Sequence, residues 1–496
     1  MASPEPGTQP GAQSGAQPGT ASGTASGGEH VRTRQATKLR NRHVTMIALG
    51  GIIGSSLFIG SGNIIRDVGP AAILSYLLGG LLVFLAMKML GEMAASRPAV
   101  GSFMDYARDG LGDGASYLVG WLYWYFWVGV LAYESVIGGE TMHGWFSAVP
   151  SWAWSLILLA VFVGSNAVSV RNFGEIEFWL AGIKVIAVIV FLVAGVLFAF
   201  GVWPGSDFTV DNLWNHGGFA PNGLSQALTG VAIVIFAYFG TEIAVMAAAE
   251  SEDPGKGVRR ATNTVIWRIL LFFVGSVAVI AAIVPWDELP DPTDVSTAPF
   301  TYVFELIGLP GASTVMQLVI FTAVLSVLNS GLYSASRMLS AMGDQGFAPK
   351  AVRYRNRRGV PMVALLASTV GGVAATIVNF ALPDTGIFDF IMNSSGLVAL
   401  FVYVIIAATH WNMRRKMTAA EVSALEMKAP LYPWINILLI AGVIAVFIVM
   451  VVQESSRTQV WTSLILTGVV VVLWPLVKRN LRRRSERTDG ATPVDA

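Results

Sequence analysis

The chain contains no cysteine in 496 residues, which excludes a disulfide framework, a thiolate nucleophile and any cysteine-bound metal. Charge is scarce too, with 13% Asp, Glu, Lys and Arg against 54% hydrophobic residues, so nucleic acid is not an expected partner. The histidines His30, His43, His143, His216 and His410 are scattered, and no HExxH spacing marks a metal centre. Gly255-Lys256-Gly257 lacks the earlier glycine of a phosphate-binding loop, which argues against a nucleotide-hydrolysing engine. No paired nucleophile and base stands out, so neither an enzyme nor a cofactor is expected. The first thirty residues have neither the basic start nor the apolar core of a secretory signal, and residues 1–40 read as a disordered cytoplasmic tail.

What remains is apolar sequence. Runs of about twenty residues recur from Val44 to Leu476, each long enough for a bilayer core of roughly 30 Å. The pattern predicts an all-α polytopic membrane protein with about twelve spans, centred near residues 54, 83, 128, 160, 188, 237, 274, 326, 370, 398, 442 and 467. The near-zero net charge conceals a sorting by side. Of 32 Lys and Arg, 26 fall in segments that share one side if both termini do, including Lys256 to Arg260, Lys350 to Arg358, Arg414 to Lys428 and Lys478 to Arg487. By the positive-inside rule that side is cytoplasmic, which places the chain in the cell membrane with both termini inside.

Two spans are interrupted midway: Gly50-Gly51-Ile52-Ile53-Gly54-Ser55-Ser56 and Tyr238-Phe239-Gly240-Thr241-Glu242. Lipid cannot satisfy the backbone groups that such a break releases, so breaks at bilayer depth line polar cavities. Paired breaks in corresponding positions of two halves mark secondary transporters with inverted repeats. A helix restarting near Ser55 would aim its leading N–H groups and partial positive charge at an anion, with the hydroxyls of Ser55 and Ser56 as further donors and Gly54 allowing close approach. The helix ending at Phe236 to Phe239 would offer carbonyls to an ammonium, and a cavity with both walls suits a zwitterion. The small residues of the first break could instead serve close helix packing. Glu242 follows Gly240 and Thr241 directly; it could take part in transport, or brace the unwound segment by accepting backbone hydrogen bonds.

Lys184 lies about 15 Å from the basic edge, too deep to reach it easily, and could exchange a proton in each cycle. The alternative is a permanent ion pair with Glu242 or Glu134. Lys88, Glu92, Arg268 and Arg337 lie nearer span ends and read as interfacial anchors or gate pairs. The aromatic run Trp121 to Trp127 reads mainly as packing, with one face available to a cavity. Ser326, Asn329, Ser330, Ser334 and Ser336 form a polar strip, either for interhelical hydrogen bonds or for contact with Lys184. A channel is the rival class, since broken helices also build pores.

These residues resemble the amino acid, polyamine and organocation transporter superfamily, in its bacterial amino acid permease branch, over nearly all of Asn41 to Leu476. The resemblance rests on Gly51-Ile52-Ile53-Gly54-Ser55-Ser56-Leu57-Phe58, Gly69-Pro70-Ala71, Gly91-Glu92-Met93-Ala94, Gly240-Thr241-Glu242, Ala249-Glu250-Ser251, Arg259-Arg260-Ala261-Thr262 and Asn329-Ser330-Gly331-Leu332-Tyr333. Within the branch the chain is most similar to 4-aminobutyrate (GABA) permeases, through Arg42-His43-Val44-Thr45-Met46, Gly120-Trp121-Leu122-Tyr123-Trp124, Gly174-Glu175-Ile176-Glu177-Phe178-Trp179, Leu431-Tyr432-Pro433-Trp434 and serine at position 56, where many α-amino acid permeases have glycine.

The resemblance implies a LeuT-type fold. Residues 41–202 and 203–410 would be inverted repeats of five spans with the first and sixth broken, followed by two spans in 411–478 and a cytoplasmic tail at 479–496. It implies a substrate carboxylate at Ser55 and Ser56, the amine at carbonyls of Ile52, Phe236 and Phe239, and Lys184 where sodium-coupled relatives hold sodium, so coupling would be to protons. Gly138-Gly139 and Tyr133 depart from the branch pattern and are expected to alter the side-chain pocket. The expected activity is proton-coupled import of GABA or a similar ω-amino acid, with an α-amino acid permease as the nearer alternative and a channel or uncoupled exchanger as the more distant one.

Overall fold

The computed structural model describes residues 53–97, 103–168, 170–249, 254–292, 295–381 and 387–489. The N-terminal tail and the Gly50-Gly51-Ile52 part of the first break lie outside the described residues. Apart from one isolated bridge between Phe200 and Phe208, the regular structure described is helical.

The first broken span enters as α1 (Ser55–Phe58) and α2 (Gly60–Val68), joined through Ile59, which keeps helical dihedrals. A 3-10 turn at Gly69–Ala71 leads into α3 (Ala72–Ser96). After α4 (Phe103–Leu111) come α5 (Asp113–Trp145), α6 (Ser151–Val168) and α7 (Val170–Ala199). The second broken span is α8 (Leu224–Tyr238) followed by α9 (Thr241–Ala249). Then α10 (Pro254–Arg268), a π-helical stretch at Ile269–Val274 and α11 (Gly275–Ile283) form one long span. The rest comprises α12 (Pro299–Ile307), α13 (Ala312–Asp344), α14 (Met362–Ala381), α15 (Ile387–Lys416), α16 (Trp434–Val452) and α17 (Glu454–Asp489).

Among the described residues nine helical stretches are long and apolar enough to cross a membrane, with Ser151–Ala167 and Leu224–Tyr238 as shorter apolar helices. Twelve separate spans are therefore not resolved one by one. Ser55–Ser96 runs as a single helical stretch interrupted at Ile59 and by the turn at Gly69, and α8 is short because the chain breaks at Phe239.

α5 and α13 sit at the centre. Each has 33 residues; they pack on one another, and α6, α14 and α15 surround α5 while α7 and α14 flank α13. A second layer joins α3 to α8, α9 and α10. Apolar side chains all around α3 and α5 fit this burial, since an interior helix has no solvent face to make polar. By contrast only 11% of the apolar window of α17 is buried, against 67% for α5 and α13, so the last helix presents Val469, Val471, Val472, Leu473 and Leu476 outward. Apolar residues exposed in that density suit lipid rather than water.

The Gly138-Gly139 pair is explained by packing. A Cβ on Gly139 would fall 2.0 Å from Ser155 Oγ and 2.5 Å from the Ser151 carbonyl oxygen, and one on Gly138 would fall 2.7 Å from Leu158 Cδ1. These glycines let α6 lie directly against α5.

Candidate substrate and coupling site

Ser55, the first residue of α1, is fully buried, and its N-cap neighbour Gly54 is extended and offers no capping side chain. The Ser55 hydroxyl has no hydrogen-bond partner among the described residues. Ser56 is only half-buried. Orphaned donors at a buried helix start call for an acceptor from outside the helix. Two side chains of α5 stand over this point. Glu134 lies against the Ser55 hydroxyl and backbone N–H, and Tyr133 lies beside the same hydroxyl. Glu134 is buried and its Oε2 has no hydrogen-bond partner among the described residues.

The second break forms at Phe239, which is extended, and Gly240, whose φ of 103° a residue with a side chain rarely adopts. In an unbroken helix Gly240 N–H would bond to the Phe236 carbonyl and Ile243 N–H to the Phe239 carbonyl. Here Gly240 N–H donates to both carboxylate oxygens of Glu242, at 2.9 and 3.1 Å, and Ile243 N–H turns to the Gly240 carbonyl at 3.1 Å. The donors that would have occupied the Phe236 and Phe239 carbonyls are thus committed elsewhere. The Thr241 hydroxyl closes the turn by donating to the Tyr238 carbonyl at 2.5 Å.

Glu242 is consequently the brace of the break. Its carboxylate also interacts with Tyr123 on α5 and with Arg268 at the end of α10. Arg268, expected as an interfacial anchor or a member of a gate pair, is buried and faces Glu242, and the π-helical stretch begins at the next residue. Such a bulge re-aims the helix locally. Glu92, of the two expected roles of anchor or pair, is found paired: it is buried and held by Arg414, by His410 at 3.3 Å and by the Ala429 backbone N–H at 2.6 Å. Lys88 donates to Asn263 at 2.6 Å, and Arg337 is exposed over the Tyr333 ring.

One face of α5 joins the two breaks. Tyr123, Phe126, Trp127, Tyr133 and Glu134 recur at helical spacing, and their rings pack on the unwound segment: Phe126 on Phe239 at 4.1 Å, Tyr123 on Phe239 at 5.6 Å, Tyr133 on Phe236 at 6.0 Å. Tyr133 therefore touches both the Ser55 side and the Phe236 side. The opposite edge of the aromatic run does the expected packing, with Trp124 bonded to Ser368 at 2.9 Å and Tyr125 to Ser394 at 2.6 Å.

Lys184 is fully buried. Its partner is neither Glu242, which serves Arg268, nor Glu134 by direct bond, although Glu134 acts on it electrostatically. Nζ donates to Ser326 Oγ at 2.8 Å, Ser326 donates to Glu177 Oε1 at 2.6 Å, and Nζ lies 3.9 Å from the same carboxylate oxygen. Contact of the serine strip with Lys184 is thus present. Glu177 was missed as a site residue, although its spacing of seven from Lys184 puts both on one face of α7. Of the expected substrate residues, Gly54, Ser55 and Ser56 fall at the start of α1 and Phe236, Phe239, Gly240 and Glu242 at the break after α8, while Ile52 lies outside the described residues.

An apolar helical bundle in which one helix starts at a buried Ser55 and another is unwound at Phe239 and Gly240, with buried polar side chains beside both, is the interior of a membrane-embedded permease. The chain belongs to the amino acid permease family, whose model matches residues 43–487. It is 42% identical to the γ-aminobutyric acid permease of Bacillus subtilis over 458 residues, covering 92% of this chain and 96% of the relative. It is 40% identical to the γ-aminobutyric acid permease of Escherichia coli over 442 residues, covering 89% and 94%. The aromatic amino acid transport protein of Corynebacterium glutamicum is 38% identical over 465 residues, covering 92% and 98%.

Proposed function

We propose that this permease is a proton-coupled importer of GABA or a similar ω-amino acid in the cell membrane, with both termini cytoplasmic. The observation that carries the reading is the position of Tyr133 between the buried helix start at Ser55, which Glu134 also faces, and the break at Phe239, with the carbonyls released at Phe236 and Phe239 on its other side. The first wall takes the substrate carboxylate and the second its ammonium, each group meeting the half of the helix dipole that stabilises it. Glu134 occupies the neighbourhood of the carboxylate site, so it is neutralised or displaced when substrate enters. Lys184 carries the coupling proton, because it is a fully buried ammonium whose field reaches Glu134, the carboxylate that lies against the start of α1.

GABA is favoured over α-amino acids by the names of the similar permeases and by Ser56, which narrows the carboxylate end where glycine would leave room. The similarity to an aromatic amino acid transport protein keeps an α-amino acid as the second reading. Counterflow in proteoliposomes separates them. Liposomes loaded with unlabelled GABA should take up labelled GABA saturably, and external GABA should compete better than phenylalanine or alanine. Better competition by phenylalanine would transfer the assignment to an α-amino acid, and non-saturable flux would make the protein a channel.

A further inference from the structure

Lys184, Ser326 and Glu177 are arranged in an order that a simple buried ion pair would not need. A structural Lys–Glu pair would close to a direct charge-assisted bond near 2.8 Å. Here the direct approach is 3.9 Å, and the Ser326 hydroxyl stands between the charges, accepting from the ammonium and donating to the carboxylate. All three groups are buried. Glu177 lies seven residues before Lys184 on α7, roughly 10 Å along the helix axis toward its N-terminal end. Ser326 on α13 is the one group that spans the gap between them.

The polar path continues in the same direction. One turn beyond Ser326, Asn329 accepts from Asn166 of α6 at 3.1 Å, and its Nδ2 has no partner among the described residues. The next carbonyl along α6, that of Ala167, accepts from Asn356 at 3.2 Å, within the basic segment Lys350 to Arg358. Glu177 Oε2 likewise has no partner among the described residues. The path thus points away from the helix breaks and toward the basic end of the bundle.

We propose that Ser326 and Glu177 form the proton exit from Lys184, on the cytoplasmic side of the substrate site; this rests on the coupling role of Lys184 proposed above. The Lys184 ammonium breaks one N–H bond and protonates Ser326 Oγ, while the Ser326 hydroxyl proton passes to Glu177 Oε1. The ammonium and carboxylate become an amine and a carboxylic acid with no net gain or loss of protons. Glu177 then releases its proton toward the basic end. The charged groups acting on Lys184 are Glu177, on its own helix, and Glu134, on α5. Glu134 faces the substrate side, so the two carboxylates divide entry from exit. Ser326 and Glu177 act through Lys184 and are positioning and relay residues, with no contact to substrate.

The test separates net proton movement from substrate exchange. Counterflow returns the carrier loaded in both directions and needs no deprotonation of Lys184, whereas accumulation driven by a pH gradient does. With GABA as substrate, Ser326→Ala and Glu177→Gln should lower gradient-driven accumulation by on the order of tenfold or more, while counterflow falls far less. Ser326→Thr, which restores a hydroxyl, should recover most of the accumulation. Parallel loss of both activities in Ser326→Ala and no recovery in Ser326→Thr would show a packing role and overturn the relay. Accumulation at the wild-type level in both Ser326→Ala and Glu177→Gln would overturn it as well. If Lys184→Ala itself accumulates normally, the coupling role of the lysine falls and the relay with it; if only Lys184→Ala is defective, the relay alone falls.

Discussion

Ser56 and Glu242 show how differently two residues of one site can work. GABA separates amine from carboxylate by up to about 2.5 Å more than an α-amino acid does, given C–C bonds near 1.5 Å. In the proposed pose, with the carboxylate at the start of α1, the amine would move toward the carbonyls of Phe236 and Phe239, and the Ser56 side chain would fill space that a short substrate would use. Ser56→Gly should therefore weaken GABA transport and improve competition by an α-amino acid, by a factor of about ten or more if the lost group acts like a methylene in a specificity pocket. An unchanged order of competitors in the variant would remove Ser56 from the argument. Glu242 acts through the backbone. Glu242→Gln keeps an acceptor for Gly240 N–H but removes the charge that faces Arg268, so the protein should fold and insert while losing most uptake. Wild-type uptake with an unchanged pH profile would deny the carboxylate a role. Single positions such as Ser55, Lys184 and Glu242 were legible in the sequence because a hydroxyl, ammonium or carboxylate inside an apolar run needs a reason. Glu177 was not assigned its partners, and Glu134 was offered as a partner of Lys184 without its place at Ser55, since nothing in one span says which neighbour its face will meet.

At the level of the element, the second break was readable because glycine and small polar residues interrupt a long apolar run, and α8 does end at Tyr238. What the runs could not show is how α5 ties the breaks together, for that depends on the rotation of a 33-residue helix whose apolar residues surround it. The glycine pair of α5 illustrates the same limit: nothing along the chain says which neighbour the two glycines face, and in space they seat α6. Gly139→Leu should force α5 and α6 apart, because a Cβ alone would already overlap Ser155 and the Ser151 carbonyl. The expected cost is about 1–3 kcal/mol or more, seen as a lower unfolding temperature in detergent. A smaller effect than that of Gly144→Leu, where a Cβ would have nothing within 4 Å, would contradict the packing account.

For the whole molecule, composition settled that the chain lives in a bilayer, and motif order settled the family, while coupling depends on contacts between distant spans. The account joins a zwitterion site at the two breaks to a buried lysine on α7, and its central claim is that substrate movement consumes a proton gradient through that lysine. The most direct measurement is uptake of labelled GABA into proteoliposomes under an imposed pH gradient, acidic outside, comparing the unmodified protein with Lys184→Ala and adding a protonophore to each. The unmodified protein should concentrate GABA above its outside level and lose that accumulation when the gradient is collapsed, and Lys184→Ala should only equilibrate it. Accumulation by Lys184→Ala equal to that of the unmodified protein, or accumulation that survives the protonophore, would contradict the account.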